Sequence, residues 1–426
     1  MSNCLAFDSR IFSKETQFVR LAYLTAHAPY GRVESFVLKE ILALQKRGHT
    51  IWVIPRNPPK FVLHHDYFEA VAEHTIRTGL FSFAILVQNV RILFTSPLAY
   101  FKALRMLFHS RNLSVLAKNW LVFPKAIWVA SLLKTKQIEH VHAHWGSTPS
   151  TVALIASQIA GVPWSLTIHR YGLLENNLLR EKVAHARFTR VISEKSRQML
   201  LEIVGVNLAD KIRVIHVGVE IPAGLPPQTE SRGKITVAVP ANFVEVKGHI
   251  YLIQAAARLV RAGVSGWHMI LWGDGPLREF IQKEIERLRL REYFDLPGAV
   301  PHSEILTAYR RGLVQIVALS SIVTDDGIFE GIPLSLVEAL AHRIPVVATR
   351  TGSIPELLEG GAGLLVPEKS PEALQEAFTR LFRDKALRKN LAETGFRKVE
   401  EQFNLERIAR QLESLFNKNA LSNQSN

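Results

Sequence analysis

Cysteine is almost absent from this sequence: Cys4 is the only one among 426 residues. A single thiol forms no intramolecular disulfide and no thiolate zinc cage, so a disulfide-built secreted module is excluded. Hydrophobic residues make up 47% and charged residues 21%, ordinary values that exclude disorder across the whole chain. At roughly 100–200 residues per domain, the length predicts two or three domains.

Long apolar segments are missing as well. Residues 1–18 are polar and mixed, without the basic, apolar and small-residue order of an export signal. No run reaches the roughly 18 apolar residues that a membrane-spanning helix needs. We therefore expect a cytoplasmic protein, located peripherally on the inner face of the cell membrane for the reasons that follow.

Negative charge is scarce in the N-terminal half. The chain has 52 Lys and Arg against 38 Asp and Glu, which gives a formal charge of +14. Residues 1–230 carry +12 of this excess, and residues 231–426 carry only +2. The change coincides with a Pro- and Gly-rich stretch, 221–233, which is typical of an interdomain linker. Such a basic protein favours anionic partners.

Acidic residues are entirely absent from 74–138, between Glu73 and Glu139. Basic residues with interleaved aromatics predict amphipathic helices on an anionic membrane surface. An ordinary helical insertion packed on the N-terminal domain is the first alternative, and nucleic-acid binding, for which no motif is present, is the second. The segment holds nine basic and nine aromatic residues: Arg77, Arg91, Lys102, Arg105, Arg111, Lys118, Lys125, Lys134 and Lys136, with Phe81, Phe83, Phe94, Tyr100, Phe101, Phe108, Trp120, Phe123 and Trp128.

Apolar strand-like runs alternate with helix-like segments in both halves, which predicts βαβ units with parallel sheets. We expect an α/β protein with two doubly wound, Rossmann-like domains facing each other across a cleft. Ligand sites in such domains lie at the carboxyl ends of strands. The predicted divisions are an N-terminal domain at 1–221 with the insertion 74–138, a linker at 222–233, a C-terminal domain at 234–395, a helix at 396–416 that crosses back, and a frayed tail at 417–426.

The segment from Asp326 to Ala341 carries two glutamates, Glu330 and Glu338, around a predicted helix start. Pro333 suits the first position of a helix. The unpaired N–H groups of a helix N-terminus bind a diphosphate, and a carboxylate on each side can accept hydrogen bonds from hydroxyls. This layout suits a nucleotide sugar, although two solvated glutamates at this spacing are common by chance.

A second segment, Val239–His249, follows a strand and opens a helix. Lys247 within it can neutralise a phosphate as a compact charge, although a lone lysine there is usually just solvated. No D-x-D occurs, so the metal–diphosphate signature of GT-A glycosyltransferases is missing. The run from Gly273 to Arg278 does not complete G-x-G-x-x-G, so a dehydrogenase is poorly supported.

These segments resemble the retaining GT-B glycosyltransferases of family 4. The glutamate pair and the strand–loop–Lys-Gly–helix segment look like its donor-site motifs, and Thr349–Glu356 with Gly363–Pro367 looks like the segment that follows. The runs VHAHWG at 141–146 and SLTIH at 165–169, with PYGRVESF at 29–36, make the chain most similar to exopolysaccharide enzymes of the colanic-acid type.

The resemblance implies a role for each matching position. Glu330 would hold hydroxyls of the donor hexose and Glu338 those of the ribose, while His169 would lie beside the transferred sugar. Gly31 would lie close to donor phosphate or acceptor. The diphosphate would be bound by Asn242, Lys247, Gly331, Ile332, Pro333, Leu334 and Ser335.

Two positions depart from the family pattern. Asn242 stands where the family often has arginine, and Gly172 stands where it often has an acid. His142 and His144 point to one face of a strand, so a metal site is conceivable. Because no third ligand is near in sequence, we predict a structural or substrate-contact role for the pair.

The sequence therefore predicts a metal-independent hexosyltransferase without a cofactor, which uses a nucleotide diphosphate sugar. The family resemblance implies that it retains anomeric configuration. The resemblance implies an acceptor on a lipid-linked oligosaccharide in surface polysaccharide synthesis. A non-catalytic GT-B protein that binds a nucleotide sugar is the alternative. A nucleic-acid-binding protein, the other alternative, would bind DNA or RNA with a steep salt dependence.

Overall fold

The computed structural model describes residues 18–30, 34–58, 65–224 and 233–417, with the backbone alone at 65 and 66. Two six-stranded sheets, in which every strand pair is parallel, form the framework. The predicted fold class, two doubly wound α/β domains, is confirmed. The linker predicted at 222–233 falls mostly on 225–232, outside the described residues.

The N-terminal sheet has the strand order β2-β1-β3-β4-β5-β6. The direction of winding reverses between β1 and β3, so the loops after these two strands border a crevice. Every residue of β3, β4 and β5 is buried, as parallel strands covered by helices on both faces require. The strands are β1 (Arg20–Thr25), β2 (Thr50–Pro55), β3 (His140–His144), β4 (Trp164–Ile168), β5 (Phe188–Val191) and β6 (Ile212–Val214).

The C-terminal sheet has the order β12-β11-β10-β7-β8-β9, and its reversal lies between β7 and β10. The loops that follow these two strands carry Lys247 and Glu330, so the sheet topology places both at one crevice. The strands are β7 (Ile235–Pro240), β8 (Trp267–Trp272), β9 (Phe294–Gly298), β10 (Ile316–Leu319), β11 (Val346–Thr349) and β12 (Leu364–Val366).

Helices cover both faces of each sheet. The first nine belong to the N-terminal half: α1 (Ser35–Lys46), α2 (His65–Ala72), α3 (Phe83–Thr95), α4 (Pro97–Met106), α5 (Leu113–Thr135), α6 (Thr148–Ala160), α7 (Arg170–Glu175), α8 (Leu179–His185) and α9 (Glu194–Val204). The others follow: α10 (His249–Arg261), α11 (Arg278–Arg287), α12 (His302–Arg310), α13 (Leu334–Ala341), α14 (Ile354–Leu358), α15 (Pro371–Arg383), α16 (Lys385–Gln402) and α17 (Leu405–Phe416).

The last helix, α17, leaves the C-terminal sheet and packs against α1 on the N-terminal sheet. Leu412 and Phe416 are buried in the same apolar cluster as residues of α1 and β1. Glu413 is paired with Arg47 and lies 3.1 Å from Nε2 of His49. Burying each large apolar side chain contributes roughly 1.5–3 kcal/mol, so this helix ties the two halves together.

The acid-free segment forms α3, α4 and α5 between β2 and β3. One side of α5 packs against α6, while α3 buries only Ile85. Much of the apolar surface of these helices faces solvent, with Phe83, Phe94 and Leu98 each about 80–90% exposed. We call the following set the insertion surface: Phe83, Leu86, Val90, Phe94, Leu98, Phe101, Phe108, Leu113, Trp120 and Leu121.

One basic residue of this segment, Lys125, does not face outward as the amphipathic interpretation required. Its side chain is fully buried, and Nζ donates hydrogen bonds of 2.6–2.8 Å to the carbonyl oxygens of Pro55, Arg56 and Thr78. Burial, together with the charge of Arg56, lowers its pKa to about 7. Lys125 therefore holds the loop after β2 and is unavailable to lipid.

Among the described helices, none alone has the length and apolar composition of a membrane span. The segments Phe83–Thr95 and Pro97–His109 satisfy those two criteria only when they are taken together, and the chain bends by 112° between them.

Candidate functional site

The candidate donor site lies where β7 and β10 end. Lys247 ends a single 3₁₀ turn, Glu245–Lys247, just before α10, and Glu330 precedes α13. Nζ of Lys247 lies 2.5 Å from Oε2 of Glu330, and both side chains are 18% exposed. The two residues, which the sequence predicts to contact different parts of a donor, thus contact each other.

The helix N-terminus in this crevice begins one residue later than predicted. Pro333 was expected at the first helical position, but it is the cap, with extended ψ of 120°, and α13 starts at Leu334. The proline ring fixes φ near −71°, which suits either position, so ψ decides the boundary. No side chain caps this terminus, and Gly331, Ile332 and Ser335 are only partly buried around it. Its first N–H groups can therefore receive an anion.

Glu338 lies further along α13 and has a different partner. Its Oε1 is 2.8 Å from Nε2 of His302, the first residue of α12. Burial raises the pKa of the Tyr309 phenol, and the nearby negative charge of Glu338 raises it further. Sequence reasoning missed His302, because no spacing rule relates it to a residue 36 positions away.

Asn242 is exposed on the loop after β7, where its carbonyl oxygen accepts a hydrogen bond from the N–H of Val244. The structure therefore leaves its amide accessible on the same loop as Lys247. Gly31, the other predicted contact, lies outside the described residues.

His169 lies across from these groups, at the end of β4 and the cap of α7. Its Nε2 is 2.8 Å from Nε2 of His144, so one ring donates and the other accepts. Burial and, less strongly, the charge of Arg190 lower the pKa of His169 to about 3. The ring is therefore neutral at pH 7 and can act through hydrogen bonds but not as a cation.

Trp145 and Glu34 support this histidine, and no sequence pattern predicts either role. The Trp145 ring lies 4.6 Å from that of His169, centre to centre, and its backbone has φ of 99°. Such a conformation costs roughly 1–3 kcal/mol and needs support from its surroundings. The buried Glu34 carboxylate provides it, since it accepts hydrogen bonds from Trp145 Nε1 and from the N–H groups of the loop after β1.

Gly172, the second departure from the family pattern, has a packing reason. A Cβ at this position would lie 3.1 Å from Cα of Gly146 and 3.3 Å from the Ile168 side chain. Because α7 packs so closely on the loop after β3, an acidic side chain at 172 would displace it.

The His142 and His144 pair gains a third neighbour, Glu40, that sequence proximity did not reveal. Among the described residues, these three place candidate metal-ligand atoms within 4.8 Å of one another. Both ring nitrogens of His142 already bond hydroxyls, Ser165 Oγ at 2.8 Å and Thr167 Oγ1 at 2.9 Å.

The carboxylate of this group is also engaged, because Glu40 accepts hydrogen bonds from the guanidinium of Arg190 and the hydroxyl of Tyr23. A fixed positive charge bonded to the carboxylate opposes a divalent cation at the same place. The cluster is better suited to a hydrogen-bonded core beneath His169 than to a metal centre.

Comparison with known proteins identifies this architecture. Residues 225–398 match the family described as glycosyl transferases group 1, and residues 33–221 match glycosyltransferase family 4. A glycosyltransferase from Rickettsia africae has a TM-score of 0.69 at 19% identity, covering 95% of this chain and 99% of its own. Anabaena HepE in complex with UDP has a TM-score of 0.65 at 18% identity, covering 92% and 98%. The fold is therefore GT-B.

Glycosyltransferase family models thus match both halves of the chain, which is similar to the glycosyltransferases of family 4 and, within them, to the colanic-acid group. It is 35% identical over 208 residues to the putative colanic acid biosynthesis glycosyltransferase WcaL of Salmonella typhimurium. That match covers 48% of each chain, so it spans about half the length of this curated relative.

Proposed function

We propose that this protein is a retaining glycosyltransferase that moves a hexose from a nucleotide diphosphate sugar to an acceptor hydroxyl in surface polysaccharide synthesis. The observation that carries the proposal is the contact of Lys247 with Glu330 beside the open N-terminus of α13. WcaL, named for colanic acid biosynthesis, and HepE, solved with UDP, support the pathway and the substrate class.

The diphosphate would bind the backbone N–H groups of Leu334 and Ser335, with Lys247 supplying a positive charge. Binding would draw Lys247 from Glu330 toward the phosphates, which frees the carboxylate for a hexose hydroxyl. Glu338 would accept hydrogen bonds from the ribose, with His302 orienting its carboxylate. Asn242, which is uncharged, would add a hydrogen bond without neutralising phosphate.

In the transfer step, the bond between the sugar's anomeric carbon and the diphosphate oxygen breaks, and the electron pair leaves with the diphosphate. The acceptor oxygen bonds the same carbon on the face that the diphosphate leaves, and its proton passes to an oxygen of the departing diphosphate. Lys247 and the helix N-terminus would stabilise the developing charge on the leaving group, so the reaction proceeds without a metal ion. The neutral His169 would orient the sugar from the N-terminal side.

The acceptor is proposed to be a lipid-linked oligosaccharide reached at the inner face of the membrane. The insertion surface supports this, because it exposes aromatic and aliphatic side chains beside the exposed cations Arg91, Lys102 and Arg105. Amphipathic elements of this composition bind the headgroup boundary of anionic membranes.

A thermal-shift panel of nucleotide sugars and nucleoside diphosphates tests the donor proposal. A ligand at 100 times its dissociation constant adds about 2.7 kcal/mol to folded-state stability. We expect one nucleotide series to raise Tm in the wild type and in Lys283→Met, a control for an exposed lysine, but much less in Lys247→Met. Absence of a shift with every nucleotide would contradict the proposal, while binding without sugar transfer to any acceptor would favour a non-catalytic GT-B protein.

A further inference from the structure

Two elements of the N-terminal half reach across the cleft to the loop that carries Glu330. One is α7, which begins with Arg170 immediately after His169, and the other is the start of α9 at Ser193–Lys195. Together they contact the residue that precedes Glu330 in sequence and a turn that lies against the Glu330 backbone in space. The candidate donor carboxylate is therefore held by contacts with the opposite half of the molecule.

The first contact centres on Phe329, the residue before Glu330. The Arg170 guanidinium donates a hydrogen bond to the carbonyl oxygen of Phe329, and its Cζ lies 5.4 Å from the centre of the ring. Lys195 Nζ lies 3.9 Å from the same ring centre. Both cations are within the roughly 6 Å range in which an aromatic ring attracts a cation.

The second contact reaches Glu330 through a turn. Ser353 donates its backbone N–H to the carbonyl oxygen of Glu330 at 3.1 Å, and its hydroxyl lies 3.1 Å from that of Ser193. Gly352 permits this approach, because it has φ of 58° and a Cβ there would lie 1.8 Å from the Glu330 oxygen. The turn is anchored to the N-terminal half a second time by Glu356.

The anchor is a cap on α9. Both carboxylate oxygens of Glu356 accept hydrogen bonds from the N–H of Glu194, at 2.9 and 3.0 Å, at the first residue of the helix. A carboxylate at this position is also stabilised by the helix dipole. The Glu330 backbone is thus fixed on one side by Phe329 and on the other by the 352–356 turn.

We propose that Phe329 is a positioning residue that couples the N-terminal half to Glu330. Its ring and carbonyl transmit the contact of Arg170 and Lys195 to the neighbouring carboxylate, so Glu330 takes its place for the hexose only when the two halves meet. Nucleoside diphosphate, which lacks the hexose, does not need this contact. The catalytic part of this inference rests on the proposed glycosyltransferase function, and the coupling itself does not.

Hydrogen–deuterium exchange of the ligand-free protein tests the coupling without a substrate. Phe329→Leu keeps apolar bulk but removes the ring, Phe329→Tyr restores the ring, and Phe280→Leu is a control for a phenylalanine that is 47% exposed on α11. We expect exchange across 328–335 to accelerate by roughly fivefold or more in Phe329→Leu alone, because the cation–π contacts are lost. Unchanged exchange in Phe329→Leu, or equal acceleration in Phe329→Tyr, would overturn the proposal.

Calorimetry with UDP and turnover of the donor give a second readout. We expect Phe329→Leu to bind UDP within about twofold of wild type and to lose roughly tenfold in kcat, a split that Phe329→Tyr reverses. A parallel loss of UDP affinity and kcat would contradict a positioning role. If the wild type binds no nucleotide, the proposed function fails, while the exchange experiment still decides whether Phe329 couples the two halves.

Discussion

The pairing of Lys247 with Glu330 explains how one crevice can hold opposite charges. Each side chain satisfies the other, so neither is left as an unpaired, partly buried charge. Lys247 and Glu330 are 83 positions apart in sequence, which explains why sequence analysis finds two separate candidates and not a pair. At the same scale, Glu338 contacts His302 and not Lys247, so the two glutamates have different partners.

Removing each glutamate should therefore have a different effect. Glu338→Ala should weaken binding of the free nucleoside diphosphate about tenfold or more, because a hydrogen bond to a charged group is worth roughly 1.5–3 kcal/mol. Glu330→Ala should mainly lower kcat. Titration calorimetry and steady-state kinetics measure both, with Glu279→Ala as a control for an exposed glutamate. Equal nucleotide affinity in wild type and Glu338→Ala would remove the ribose assignment.

Buried histidines should make stability depend on pH. Burial lowers the pKa of both His140 and His169 to about 3, with Arg187 and Arg190 as the respective secondary causes. An unfolded histidine, with a pKa near 6.5, binds a proton that the folded one does not, so stability falls as pH drops from about 6.5 toward 3. At about one pH unit below 6.5, each such histidine lowers the free energy of unfolding by on the order of 1 kcal/mol.

Urea unfolding at pH 7, 6 and 5 measures this slope. His140→Gln should reduce the loss of unfolding free energy between pH 7 and 5, because the buried ring that cannot bind a proton in the folded protein is removed. The same slope in His140→Gln and wild type would contradict the buried, neutral state of this ring.

At the scale of elements, alternating apolar runs and helical segments predict parallel sheets in both halves, but two of the strands, β9 and β12, lack such a run. β9 contains Asp295 and Pro297, and β12 has only three residues, so neither has the apolar run typical of a buried strand. Lys125 shows a further limit. A lysine in a basic segment looks solvated until the structure shows three backbone carbonyls around it.

Helices α3 to α5 should bind anionic membranes through the insertion surface. Each cation near an anionic leaflet contributes about 1 kcal/mol, so replacing Arg91, Lys102 and Arg105 by glutamine should cost roughly 3 kcal/mol, about a hundredfold in partitioning. Lys118 contributes less, because it is paired with Glu175 at 2.9 Å.

Co-sedimentation with liposomes of phosphatidylglycerol and phosphatidylcholine measures this loss. The matched control removes the same charge elsewhere by replacing Lys283, Arg287 and Lys389, and it should sediment like wild type. High salt should reduce binding, since the Debye length falls from about 10 Å at 0.1 M to about 3 Å at 1 M. Equal partitioning onto neutral and anionic liposomes would indicate an ordinary packed insertion.

At the scale of the whole molecule, the proposed site lies where the two halves meet. The C-terminal sheet provides Lys247, Glu330 and α13, the N-terminal sheet provides His169, and α17 joins them at the back. The sequence motifs predicted the residues on each side of the cleft. The contacts across it, such as Arg170 with Phe329 and Glu356 with α9, have no sequence pattern because they join residues about 160 positions apart.

The most direct test of the central claim runs the transfer reaction in excess EDTA. Chromatography then measures how much nucleoside diphosphate the enzyme has released from the donor. If Lys247 and the N-terminus of α13 stabilise the leaving diphosphate, wild type should keep its activity with chelator, and Lys247→Met should lose most of it in the same buffer. Activity that vanishes with EDTA and returns with magnesium or manganese would contradict the account and return attention to Glu40, His142 and His144.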